Sequence, residues 1–283
     1  ADFSVVDYAG GVDDLTAGVL RLIGDPETRF REDPVRLLRA ARFAAKLGFR
    51  IEPGAEEPMF RLGFLLEDIP VARLFDECLK LFMSGIGVEA YERLRHYDLF
   101  RYLFPETDAS LAREEQDFPV TFVFDGLRNT DERLAAGKPV TPAFLFAVLL
   151  WEPVRQRQAG LMAAGTPPVP AMQQAAAEVI ERQVRHVSIP KRFSIPMREI
   201  WGLQHRFGNR GGKRAERLMA HPRFRAAYDF LLLRASAGEA DPELATWWTR
   251  YQEEDGAARG EMASKTAPGR RRRRRPRKRP AAQ

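Results

Sequence analysis

Residues 32–48 read Glu-Asp-Pro-Val-Arg-Leu-Leu-Arg-Ala-Ala-Arg-Phe-Ala-Ala-Lys-Leu-Gly. At about 100° per residue, Leu37, Leu38, Ala40, Ala41, Ala44, Ala45 and Leu47 fall on one side, and Arg36, Arg39, Arg42 and Lys46 fall on the other. The pattern predicts one amphipathic helix. Asp33 suits its N-cap and Pro34 its first position, because a side-chain oxygen satisfies an orphan N–H and proline has none to lose. Gly48 stops it. The arginines recur at i, i+3 and i+6 as a slanted stripe, and the acids on this helix are Glu32 and Asp33, at its start. Cations so spaced repel one another unless an anion lies across them, and the guanidinium fork matches phosphate oxygens. An Asp and an Arg one turn apart can present acceptor and donors to the edge of one base. The plainer alternative is a solvated basic face.

Downstream of this helix the pattern stays helical. Pro70 opens a helix over Val71–Met83, in which Cys78 lies on an apolar face beside Leu74, Phe75 and Phe82 and is expected to fill the core. A third helix covers 87–97. Residues 106–117 are polar and expected to form a loop. Helical patterns return at 118–128, 141–151, 170–186, 197–208, 213–220 and 223–237, and Trp247, Trp248 and Tyr251 close the folded part. Residues 256–283 lack periodicity and are expected to be disordered. Upstream, Phe3–Tyr8 and Val19–Ile23 alternate like strands around a short helix at 12–17, a small α/β piece whose two strands need a further sheet. The chain opens without Met on this strand-like run, as expected of part of a longer protein. Its N-terminus has neither a basic start nor an apolar signal core, so the expected location is cytoplasmic.

The net charge of +6 hides a pattern. Residues 182–225 carry a net +10, and the stretch from Lys265 onward another +10, which leaves the rest of the chain at −14. Such concentration favours a polyanionic partner. The single cysteine excludes an internal disulfide, and no stretch approaches the ~20 apolar residues of a membrane helix. The four histidines show no metal-ligand spacing with one another or with Cys78. Gly211-Gly-Lys-Arg214 is not a phosphate-binding P-loop, because Phe207 stands where glycine is needed and Arg214 where Ser or Thr is.

Glu32-Asp33-Pro34-Val35-Arg36, followed by Leu38-Arg39-Ala40 and Arg42-Phe43-Ala44, resembles the Glu-Asp-x-x-Arg motif of the class II nucleotidyltransferases, which include CCA-adding enzymes and bacterial poly(A) polymerases. Asp7-Tyr-Ala-Gly-Gly11, Leu22–Phe30 and Ile69–Glu77 resemble the family's neighbouring segments in order and spacing. Ser188–Arg192, Trp201–Gln204, Gly212–Arg214, Ala220–Asp229 and the arginine-rich finish at Arg270–Arg275 resemble the C-terminal domain of the bacterial poly(A) polymerases. The resemblance implies a mainly α fold: the α/β end of a nucleotidyltransferase palm (1–30), a helical neck binding nucleotide and RNA (31–105), a helical C-terminal RNA-binding domain (106–255) and a disordered arginine-rich tail (256–283).

For the site, the resemblance implies that Asp33 and Arg36 act as a template for the incoming base and that Arg39 and Arg42 complete an ATP pocket. Lys191, Arg192, Arg210, Lys213, Arg214 and Arg270, Arg271, Arg272, Arg273, Arg274 and Arg275 are the expected RNA contacts, with Phe193, Trp201, Phe207, Phe224 and Tyr228 as stacking residues if exposed and as core otherwise. The family's Mg²⁺ sits on an Asp-x-Asp aided by an Arg-Arg-Asp. This sequence contains neither, so the ion is expected in the complete enzyme only and this chain is expected to be inactive alone. The expected partners are RNA 3′ ends and RNA-decay proteins or a helicase. The alternatives are a CCA-adding enzyme and a non-catalytic RNA-binding module.

Overall fold

The structure, a computed structural model, describes residues 6–114 and 121–265. The fold is mainly α. Helix α1 (Gly11–Ala17) is held at its start by the Asp7 carboxylate, which accepts from the N–H groups of Ala9 and Val12. Strand β1 (Val19–Leu20) is shorter than expected and pairs in parallel with β2 (Arg50–Ile51), a strand the sequence reading did not contain. Of the other expected strand, Phe3–Val5 lie outside the described residues, and Val6 to Tyr8 are not extended into a ladder. Helix α2 (Pro26–Glu32) is capped by Asp25, whose carboxylate accepts from Thr28 N–H.

Helix α3 (Val35–Leu47) buries Leu37, Leu38, Ala40, Ala41 and Ala44 and ends at Gly48 with φ 67°, a left-handed conformation that favours glycine. Leu47, expected inside, is 50% exposed at the last turn before Gly48. Helix α4 (Pro53–Leu62) and a 3₁₀ segment (Gly63–Asp68) lead to α5 (Val71–Phe82) and α6 (Gly87–His96), both packed on α3. Cys78 is fully buried on α5, where loss of solvent pushes its thiol pKa up.

Next come α7 (Phe100–Leu103) and α8 (Pro105–Glu114). The polar stretch expected as a loop is therefore helical up to Glu114, and residues 115–117 lie outside the described residues. Its inner face buries Thr107, Ser110 and Leu111, and the Thr107 hydroxyl donates to Leu149 O at 2.7 Å. Helices α9 (Phe122–Ala135), α10 (Pro142–Leu149), α11 (Trp151–Ala163), α12 (Pro168–Gln183) and α13 (Lys191–Leu203) follow. A 3₁₀ turn (Gln204–Arg206) leads to α14 (Lys213–Met219), α15 (Phe224–Ser236), α16 (Pro242–Glu253) and α17 (Gly256–Lys265).

Helix α17 corrects the expectation of disorder from residue 256. Ala263 is buried, Gly212 N–H donates to its carbonyl at 3.2 Å, and the Arg259 guanidinium donates to Tyr251 O and Gln252 O. Its apolar contact is too sparse to register as periodicity. One apolar core runs from Phe30 to Leu233, and a second gathers Leu203, Phe207, Leu218, Phe224, Tyr228, Trp248, Tyr251 and Ala263. Among the described residues no helix is long and apolar enough to cross a membrane.

Candidate nucleic-acid interface

The head of α3 is built differently from the expected cap. Asp33 has φ −145° and ψ 89° as the residue closing α2, and its carbonyl accepts from Arg36 N–H at 2.9 Å, but its carboxylate makes no cap bond. The carboxylate turns instead to α5. Arg73 Nη2 donates to Oδ2 at 3.0 Å and lies 2.9 Å from Oδ1. Arg39 stands between two acids, with Nη1 3.9 Å from Asp33 and Nε 3.7 Å from Glu77 Oε1. Glu77 is 2% exposed and accepts from Lys80 Nζ at 2.8 Å, while its Oε2 has no hydrogen-bond partner.

Arg36 donates through Nη1 to Glu32 Oε2 (3.0 Å) and to the Arg29 carbonyl (2.7 Å). The hydrogen bond from Arg36, with the charges of Arg29 and Arg36 behind it, holds the Glu32 carboxyl below its usual range. The stripe is thus less bare than the helix alone implies, because Glu77 comes from a different element. What stays unneutralised is its far end. Arg42 has no ion pair among the described residues, its Nε is buried without a hydrogen-bond partner, and its guanidinium lies 4.4 Å over the Phe43 ring. Phe43, 39% exposed beside these cations, was not singled out in the sequence, although an aromatic at i+1 from Arg42 on a polar face was the available signal. Arg73 and Glu77 were legible as a segment but not as parts of the site.

The second cationic region lies on α13 and α14. Lys191 and Arg192 open α13 and are exposed, with Arg192 4.9 Å over Phe193. Lys213 and Arg214 open α14 and are exposed, and Arg210 is half-buried, 5.7 Å from the Trp247 ring. Among the described residues none of the five has a carboxylate within 4.0 Å. Four of the five aromatics prove to be core: Trp201, Phe207, Phe224 and Tyr228 are at most 6% exposed, and Phe193 is half-buried against Phe75. The structure brings Arg214 into one cleft with Arg206 and Arg217, which the sequence reading passed over, whereas Lys191, Arg192 and Arg210 lie outside it. Arg270–Arg275 lie outside the described residues.

Two family models match the chain. One, "Polymerase A arginine-rich C-terminus", matches residues 164–280. The other, "Probable RNA and SrmB- binding site of polymerase A", matches residues 48–111. Poly(A) polymerase I of Salmonella typhi is 47% identical over 287 residues, 99% of this chain and 61% of its own length. By these matches the chain is similar to the bacterial poly(A) polymerases along almost its whole length. It spans about three fifths of the length of that relative. A CCA-adding enzyme of Limosilactobacillus fermentum is 49% identical, but over 83 residues, 29% of this chain and 21% of its own. A solved tRNA-processing enzyme complex covers 92% of this chain and 67% of its own with a TM-score of 0.52 and 19% identity, a likeness of fold.

Among the described residues no group of three or more His, Cys, Asp or Glu side chains is arranged to hold a metal ion, and the acids nearest the α3 cations are occupied by Arg73, Arg39 and Lys80.

Proposed function

We propose that this chain is the nucleotide-selecting and RNA-holding part of a polynucleotide adenylyltransferase, which adds AMP from ATP to RNA 3′ ends. In that reaction the RNA 3′ oxygen bonds to the α-phosphorus of ATP and pyrophosphate leaves. Asp33 and Arg36 offer an acceptor and a donor fork to the adenine edge, and Arg39 and Arg42 take the remaining polar parts of the nucleotide. Lys191, Arg192, Arg210, Lys213, Arg214 and the arginines at 270–275 hold RNA phosphates, which gives affinity without sequence information. Carboxylates for Mg²⁺ are assigned to the part of the relatives' length outside the match. The division at residues 30, 105 and 255 is one of task, since the apolar core crosses residue 105. RNA-decay proteins or a helicase are the proposed protein partners, and the cytoplasm the proposed location.

The observation that carries this reading is the Asp33 carboxylate, released from capping and oriented by Arg73, with Arg39 3.9 Å away, in a chain alignable almost end to end with a poly(A) polymerase. The match to the CCA-adding enzyme covers under a third of the chain and leaves that reading second. The test uses the full-length protein with an unstructured RNA, a tRNA, and ATP or CTP. AMP incorporation into both RNAs is expected, and Asp33→Ala and Arg36→Ala should each lower the ATP-over-CTP preference about tenfold, ~1.4 kcal/mol of discrimination. Template-free CTP addition confined to tRNA ends would replace the reading with CCA addition.

A further inference from the structure

Arg206, Asn209, Arg214, Arg217 and Leu218 line one cleft of about 160 Å³. Its construction is local. Arg206 closes the 3₁₀ turn after α13, and Asn209 N–H donates back to its carbonyl at 3.0 Å. Gly212, at φ 58° and ψ −144°, then admits the sharp reversal into α14. On α14 the buried Ala215 and Leu218 anchor the helix, which leaves Arg214 and Arg217, three residues apart, exposed on one side. Glu216, the one acid between residues 206 and 218, does not line the cleft. None of the three arginines has a carboxylate within 4.0 Å among the described residues.

Arg206 also lines a second and wider depression of about 570 Å³ between α12 and α13. Its floor is apolar, from Met172, Ala176 and Leu203, with Ile195 at its edge 56% exposed. The exposed Arg198 lines it too, again without an ion pair among the described residues, and its acid Glu199 is taken by Arg223 at 2.9 Å. A cationic cleft and an apolar groove therefore meet at one side chain.

Three guanidiniums gathered without a carboxylate repel one another in the free protein, and an entering anion reverses the sign. A regularly charged strand with flat apolar faces fits both parts of the surface. We propose that the cleft of Arg206, Arg214 and Arg217 holds the phosphodiester backbone of single-stranded RNA, and that the groove beyond Arg206 receives the attached bases. The proposal rests on the RNA-holding role given to this region above and assigns it to a particular place. Arg206, Arg217 and Arg198 become contacts, and Ile195 becomes a base-facing residue. Forked contacts to phosphate oxygens fit arginine better than lysine, and apolar contact with bases tolerates any sequence.

The test uses this chain and a labelled oligo(A) of about 15 nucleotides, within the reach of one single-strand site, with binding read by anisotropy between about 50 and about 200 mM salt. The double variant Arg214→Gln/Arg217→Gln removes two exposed charges and leaves the core alone. It should bind about tenfold more weakly at the lower salt, with a log–log salt slope shallower by about 1.4, the value for two single-strand phosphates. Ile195→Ser should weaken oligo(A) but not an abasic strand of equal length. Salt-dependent binding by the parent chain with an unchanged slope in the double variant would overturn the cleft while leaving the RNA-holding role intact. Absence of salt-dependent binding by the parent chain would overturn both. A polyglutamate peptide of equal charge that displaces oligo(A) more strongly than unlabelled oligo(A) does would assign the cleft to an acidic protein partner instead. Equal loss of oligo(A) and abasic strand in Ile195→Ser would overturn the base-receiving groove.

Discussion

Asp33 and Glu152 each leave one carboxylate oxygen without a hydrogen-bond partner, and their surroundings give these atoms opposite meanings. The Asp33 side chain is 20% exposed and meets Arg73 at 2.9 Å, so an ion pair across two helices fixes its orientation. Glu152, in the first turn of α11, is 1% exposed, and burial pushes its pKa up to about 7 against the pull of the Arg155 guanidinium, with Glu239 adding to the rise. The sign follows from proton counting. The folded chain keeps this proton up to about pH 7, whereas the unfolded chain loses it near 4.5. Between those values the folded state binds more protons, and stability falls as pH rises through the window. Glu152→Gln, which cannot ionise, should therefore stabilise the chain at pH 8 by ~1 to 3 kcal/mol relative to its effect at pH 4. Urea unfolding of both proteins at the two pH values measures this, and parallel pH profiles would show that Glu152 titrates normally.

Elements with a strong one-sided pattern were legible, and those held by other means were not. The α3 segment alternates apolar and basic faces and ends on a glycine at φ 67°, so its bounds came out within two residues. Helix α8 hides its inner face in Thr107 and Ser110, which bury through hydrogen bonds and read as loop. Helix α11 begins Trp-Glu-Pro and buries the acid, so hydrophobicity does not mark it. Helix pairing was beyond periodicity altogether, as α9 against α10 illustrates. A Cβ on Gly126 would stand 2.3 Å from Val148 Cγ1, and Val148 is a stiff, 1% exposed side chain of α10. In isolation Gly→Ala in a helix gains about 1 kcal/mol. Here overpacking should reverse the sign, and Gly126→Ala should lower the stability by roughly 1–3 kcal/mol in denaturant unfolding. A stabilised variant would mean that α9 and α10 separate at no cost.

Across the whole molecule, charge was the quantity most legible from sequence and its partners the least. The +10 of residues 182–225 translates into exposed cations on α13 and α14, while the arginines of α3 turn out to be partly matched by Glu77, 38 residues beyond Arg39 in the chain. Pairing across that distance depends on which helices pack together, and single-helix geometry carries no record of it. The same holds for where the folded part stops. Composition places the end near residue 256, yet α17 closes the second core with Ala263, and its backbone is tied to Gly212 and its Arg259 to the end of α16. Two truncations separate packing from charge. Ending the chain after Lys265 removes nine cations and leaves α17 and its bonds in place, so the unfolding free energy should stay within about 0.5 kcal/mol. The salt slope of oligo(A) binding should become shallower by about 0.7 for each RNA phosphate that the tail had neutralised. Ending it after Gly260 removes the same net charge together with Ala263 and its bond to Gly212, and should lower stability by about 1–3 kcal/mol with no further change in slope. A slope unchanged by the first truncation would remove Arg270–Arg275 from the RNA-binding surface, and equal stability of the two would show that α17 contributes nothing to the second core.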